Sequence, residues 1–118
     1  SPITTGTTAT VVITIGATAD IDFAIYTLQG AATPTSPSTA TDNTSPLSQA
    51  ITIPAGGVAI GVANVFTAST WTGLTKDADG TSANFKGTVA SKITSGATTV
   101  TASGSGGDSA LCVAAWGP

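Results

Sequence analysis

About a fifth of this chain is threonine, several times ordinary usage, and its larger apolar residues are mostly Val and Ile. All three branch at Cβ. Such side chains crowd the preceding turn of a helix and fit the pleated surface of a strand. The composition therefore constrains the chain to an all-β fold before any position is considered.

The positional pattern divides the 118 residues into short strands. Over residues 8–15, Val11, Ile13 and Ile15 alternate with Thr10, Val12 and Thr14, which predicts a strand. After a turn at 16–18, residues 20–28 predict a second, with Ile21, Phe23 and Ile25 on one face and Asp22, Ala24 and Tyr26 on the other. The two are expected to form a hairpin. Residues 30–48 carry Pro34, Pro37 and Pro46 without periodicity and read as a long loop, with room for a short edge segment because edges tolerate proline. Residues 49–53 form a strand closed by Pro54, and 55–57 a turn. Residues 58–66 are the strongest strand: Val58, Ile60, Val62 and Phe66 share one face, while Gly61 and Ala63 on the other leave room for a close neighbour. Trp71 then falls in a loop, 77–80 reads as an Asp-Gly turn, and 82–85 as a short strand. Further strands cover 88–93, 97–103 and 109–116. The last sets Leu111 and Val113 opposite Cys112, Ala114 and Trp116. The expectation is one domain, an antiparallel two-sheet sandwich or jelly roll of about eight short strands with no helix.

The missing residue types limit function. The chain has no His, Glu, Arg or Met, so a catalytic cleft would have to be built from six Asp, three Lys, one Tyr and one Cys. General acid–base chemistry needs a tunable proton carrier, and this residue set argues against an enzyme; no catalytic residue, metal or cofactor is expected. Three Lys, a net charge of −3 and a pI of about 4.1 cannot make a phosphate-binding surface, which excludes nucleic acid as a partner. No apolar run is long enough to span a membrane as a helix. A single cysteine forms no internal disulfide. Only 8% of residues are charged, yet mean hydropathy is +0.35. That combination predicts a surface partly covered by neighbours, hence a homo-oligomer or larger assembly.

Each candidate site has a plain structural reading beside the functional one. Asp77, Asp79 and Gly80 echo the start of a calcium loop, but the bidentate Glu such a loop requires is absent, so a solvated turn is expected. Asp20 and Asp22 share a strand face and read as solvated carboxylates rather than a catalytic dyad. Cys112 reads as a buried small hydrophobe, with an intermolecular disulfide as the functional alternative. Trp71 and Trp116 are candidate interface or ligand residues. Trp71, placed in a loop, is the better platform for a sugar ring, and Trp116 fits core or interface. Asn43 heads a glycosylation sequon in the long loop. Residues 1–7, with Pro2 and Ile3, read as an extended terminus or as an arm that adds a strand to a neighbour's sheet.

Three stretches carry a resemblance: residues 8–30; residues 45–82, which include ITIPAGGVAIGVA and TWTGLT; and residues 109–118, SALCVAAWGP. Together they resemble jelly-roll-like virion proteins of tailed bacteriophages, mainly those of alphaproteobacterial hosts. The resemblance implies a non-enzymatic role on the particle surface, foremost as a capsid decoration or cement protein whose partners are the major capsid protein and other virion proteins. A collar, tail or fibre component is the next choice. Many relatives are longer at the N-terminus, which implies that a neighbouring chain supplies strands. Two other readings fit the composition: a subunit of an extracellular filament joined by donor strands, and a carbohydrate-binding sandwich.

Overall fold

The computed structural model of the protein describes residues 12, 14, 22, 24–34, 38–42, 46–65, 69–80, 86–104 and 109–118. Among these residues the chain forms eight strands and no helix. They are β1 (Ser38–Asp42), β2 (Leu47–Ile53), β3 (Val58–Val65), β4 (Thr70–Thr72), β5 (Thr75–Asp79), β6 (Lys86–Lys92), β7 (Gly96–Ser103) and β8 (Ser109–Trp116). Two antiparallel sheets result, one of five strands in the order β1-β8-β3-β6-β5 and one of three in the order β2-β7-β4. The ladders nest. β1 pairs with β8, β2 with β7 and β3 with β6, and successive pairs fall in alternate sheets. This is a long hairpin rolled onto itself with β4 and β5 at its tip, the strand order of a jelly roll.

The all-β sandwich expected from the sequence is thus present, but its strands are drawn from different stretches. The predicted loop at 30–48 contains β1 at the edge of the larger sheet and the first two residues of β2. Trp71 lies in β4 and not in a loop. Asp77 and Asp79 lie in β5 and not in a turn, with a bulge between Lys76 and Ala78. Residues 24–28 join no ladder, so the second strand of the predicted N-terminal hairpin is absent there. The first strand of that hairpin (apart from Val12 and Thr14), the arm with Pro2 and Ile3, Asp20, the Asn43 sequon, Phe66 and the predicted strand at 82–85 lie outside the described residues.

The core sits between the sheets. The three-stranded sheet contributes Leu47, Ile51, Ile53, Val100 and Ala102, and β8 contributes Leu111, Val113 and Ala115. Burying each Leu, Ile or Val stabilises by roughly 1.5–3 kcal/mol. Because the opposing sheet and β8 supply these bulky groups, β3 turns its small residues inward: Ala59, Gly61 and Ala63 are buried, while Val62 on the opposite face is 50% exposed. The space above Gly61 is filled from the other sheet. A Cβ built there would lie 2.8 Å from Trp71 Cζ3 and 2.9 Å from Leu74 Cδ1, so the close neighbour expected beside Gly61 is Trp71 with Leu74. The tight turn that brings them in depends on Gly73, which has φ +82° and no room for a Cβ against the Thr99 carbonyl.

Replacing Gly61 by Val raises strand propensity by at most about 1 kcal/mol but drives two methyl groups into Trp71 and Leu74. Overpacking of this kind costs about 1–3 kcal/mol. Urea unfolding of Gly61→Val is expected to show a lower midpoint with an unchanged slope.

Candidate functional site

The densest polar arrangement lies at the β4–β5–β6 corner of the sandwich. Thr88 on β6 faces inward and is fully buried. Its hydroxyl oxygen accepts the Trp71 indole N–H at 2.9 Å and lies 2.6 Å from the hydroxyl of buried Ser69. Ser69 donates to Asp79 Oδ1 at 2.8 Å, and Lys76 Nζ donates to Asp79 Oδ2 at 2.7 Å. Lys76 also reaches the Ser69 carbonyl at 3.2 Å. Thr88 also donates to the Ala78 carbonyl at 3.2 Å, so the network branches at Thr88, towards Ser69 on one side and the β5 backbone on the other. Among the described residues no buried side-chain nitrogen or oxygen lacks a partner.

Asp79 ends this chain. The Lys76 hydrogen bond, with those of Thr88 and Ser69, holds its carboxyl below the ordinary value of 3.8 against an opposing effect of burial. A depressed acid favours the folded state when ionised. Its contribution is therefore present above about pH 4 and is lost as pH falls through the lowered value. The network joins the two sheets as a clamp, since Trp71 belongs to β4 and Thr88 to β6.

On the other side of the same corner, Tyr26 donates its hydroxyl to Asp77 Oδ2 at 2.6 Å. Burial, then the Asp77 hydrogen bond and charge, push the phenol up to about 12. Four residues earlier, the Asp22 carboxylate accepts the Gly87 N–H at 3.0 Å. Asp22, Ala24 and Tyr26 thereby lie over the outward face of the larger sheet. There Asp22, Ala24 and Tyr26 bound a cavity of about 370 Å³ with Val62, Ala78 and Val89.

Among the described residues the remaining outer surfaces are nearly free of charge. On β8 the outward residues are Ala110, Cys112, Ala114 and Trp116, and on β3 Val58, Ile60, Val62 and Asn64. On the three-stranded sheet Ser48, Ala50 and Thr52 of β2 stand beside Thr99 and Thr101 of β7. The Ser48 and Thr101 hydroxyls are 3.4 Å apart.

The structure separates the residues singled out from the sequence. Cys112 is exposed, not buried: alternation along β8 gives the core face to Leu111 and Val113 and leaves Cys112 outside, opposite Val62. Trp116 is half-buried on that same outer face, paired with Val58. Trp71 belongs to the clamp, with its ring on Gly61 and its N–H given to Thr88. Among the described residues no three acidic or thiol groups gather as a metal site. Ser69, Thr88 and the Asp22–Gly87 contact went unnoticed in the sequence. Thr88 is one threonine among many, and nothing local marks it as the buried one. Comparison with family models, curated proteins and solved structures finds no match.

Replacing Thr88 by Val keeps the shape but strands the Trp71 N–H and takes one partner from the Ser69 hydroxyl, which keeps Asp79. A buried group left unsatisfied costs about 1–3 kcal/mol. Thr88→Val is expected to unfold at lower denaturant and to exchange the Trp71 indole proton faster, while Thr88→Ser keeps that proton protected. Tyr26 is the only tyrosine, so ultraviolet titration reads it alone. A raised acid favours the folded state when protonated, so its contribution is complete below about pH 10 and is lost as pH rises through about 12. Asp77→Asn is expected to lower the midpoint only part of the way towards 10, because burial is the larger cause.

Proposed function

We propose that the chain is a non-enzymatic structural subunit that decorates the capsid of a tailed bacteriophage, seated on the particle surface against the major capsid protein and further copies of itself. The observation that carries this reading is the segregation of charge. Among the described residues, Lys76, Asp77, Asp79, Lys86 and Lys92 lie on β5 or β6, and Asp22 is bound to Gly87 of β6. Asp42 ends β1 at the far edge of the larger sheet. The broad faces between them present Ala, Val, Ser and Thr.

Charged groups desolvated in a contact are costly unless paired, whereas small apolar and hydroxyl groups are covered with little penalty. Faces of this kind suit repeated contact with neighbours, and the charged edge suits water. The charged edge is also closed to further strand pairing, since β5 carries Lys76, Asp77, Asp79 and a bulge. That favours docking by faces over an open chain of strands joined at this edge. The resemblance of ITIPAGGVAIGVA, TWTGLT and SALCVAAW to phage virion proteins supports a phage capsid as the particle.

Electron microscopy of the purified protein with empty phage shells tests the proposal. Regular occupancy of lattice positions is expected, and filaments from the protein alone, or no binding, would overturn it. A lysine placed in a broad face, Ala50→Lys or Val62→Lys, is expected to lower occupancy roughly tenfold or more for at least one of the two. Lys92→Ser on the charged side should leave it within about twofold.

A further inference from the structure

Asp79 is followed by Gly80. Asp-Gly is the pairing in which a backbone nitrogen most readily attacks the preceding carboxyl, because glycine carries no Cβ to shield that nitrogen. In the reaction Gly80 N gives up its proton and bonds to Asp79 Cγ, and the carboxyl loses an oxygen as water. A succinimide ring results. Water then opens the ring. Attack at Cγ restores aspartate. Attack at the original backbone carbonyl leaves the chain running through Cγ as isoaspartate, with the former backbone carbonyl as the free carboxylate. One water leaves and one returns, so the product is an isomer and no other reactant is needed.

The packing of this corner calls for both residues. Asp79 is the acceptor for Ser69 and Lys76. A Cβ at Gly80 would fall on the Asp22 carboxylate, so glycine there is what lets Asp22 reach Gly87. The corner thus contains a reactive pairing, and its neighbours hold that pairing idle. Oδ1 is fixed by Ser69 at 2.8 Å and Oδ2 by Lys76 at 2.7 Å, and turning Cγ towards Gly80 N breaks both bonds. The Gly80 N–H is given to the Gly87 carbonyl. Asp79 pairs with Thr88 in the β5–β6 ladder, which keeps its backbone extended, whereas ring closure requires the peptide plane after Asp79 to rotate. Lys76 also favours the ionised carboxyl, which is a poor source of leaving water.

These restraints sit on an element that opens easily. β5 ends the order of the larger sheet, carries a bulge and is exposed along its whole length. Exposed elements with few buried apolar contacts open locally at a free energy below that of global unfolding. We propose that Asp79–Gly80 is a latent isomerisation site, silenced by the Ser69 and Lys76 bonds to Asp79 and exposed by local release of β5 from β6. The inference rests on the contacts of this corner and stands apart from the assembly reading. Its consequence is persistent. Isoaspartate adds a methylene to the main chain, shifts Gly80 from Gly87 and moves the carboxylate away from Ser69 and Lys76. A corner that has isomerised has lost the acceptor that closed it.

The test ages the full chain in warm neutral buffer made with heavy-oxygen water and digests it with chymotrypsin. Each passage through the ring adds one heavy oxygen. The fragment from Thr75 to Phe85 also carries Asp77, which Ala78 follows, as an internal reference. Little label is expected at Asp79 in native wild type, and many-fold more in wild type held unfolded in guanidinium. Folded Ser69→Ala and Lys76→Met should label Asp79 several-fold faster than native wild type, with Asp77 unchanged. Ile53→Val weakens the core of the opposite sheet, and should lower the denaturant midpoint without raising the label at Asp79. Equal labelling of native and unfolded wild type overturns the proposal, because the fold then gives no protection. Wild-type labelling in both clamp variants overturns it too. So does a rise in Ile53→Val as large as theirs, since the route is then global unfolding. Should one clamp variant fail to fold, the other decides together with the wild-type and Ile53→Val arms.

Discussion

The bond from the Trp71 indole to Thr88 is the point on which the rest of the sandwich turns. Trp71 belongs to β4 of the smaller sheet and Thr88 to β6 of the larger. Holding them at 2.9 Å fixes the separation of the sheets at this corner. The same ring fills the space above Gly61, so one side chain sets both the depth of the core and the identity of the residue beneath it. From Thr88 the contacts run to the Ala78 carbonyl and, by way of Ser69, to Asp79 and Lys76, which ties β5 to the segment entering β4. A chain with so few aromatic residues depends heavily on where each one goes. Here the largest is committed to joining the layers.

That commitment organises the outside as well. With Lys76 and Asp79 drawn into the clamp, most of the charge among the described residues gathers around β5 and β6. The other broad surfaces are left to small and hydroxylated side chains. The β5 edge, bulged and charged, does not invite another strand. Its two outward neighbours in the chain fold, Asp77 and the Gly80–Gly87 cradle, instead receive Tyr26 and Asp22 from residues that precede the sandwich. Both sets of contacts therefore share a strand: β5 turns Asp79 towards Ser69 and Lys76, and Asp77 towards Tyr26.

Much of the architecture was legible from alternation. The strand at 58–65 is marked by its own pattern, and so are the separation of Leu111 and Val113 from Cys112 and the special role of Gly61. What alternation cannot tell is which face is the core. On β3 the larger residues point outward, because the facing sheet and β8 already fill the interior; this depends on tertiary packing, not on the strand itself. Cys112 was misplaced for the same reason, since a small apolar residue in a strand is equally at home on a covered outer face. β1 was hidden because prolines flank it, and a strand at the edge needs only one ladder. Residues 70–79 were read as loop and turn because Asp and Gly usually mark turns. In this chain the two Asp serve as acceptors for Ser69, Lys76 and Tyr26 inside a bulged strand. The jelly-roll order itself follows from nested pairing of distant segments, which no local pattern contains.

The abundance of threonine gains a second meaning on the assembly reading. Burial yields about 25 cal/mol per Å², so a contact made of Ala, Val, Ser and Thr is weak at any one site. Yet such a contact also costs little to form. Threonine and valine have few rotamers to lose, their backbone is already fixed in a sheet, and no ion must be stripped of water. The side chains that confine the chain to strands are thus the ones that make its flat faces rigid before any neighbour arrives. Weak contacts without an ordering penalty, repeated over many copies on a lattice, add through multivalency. A longer, more charged surface would hold each site more selectively but would lose rotamer freedom and desolvate ions at each one. For a small subunit used in many copies, preordered and uncharged faces are the physical solution that this composition favours.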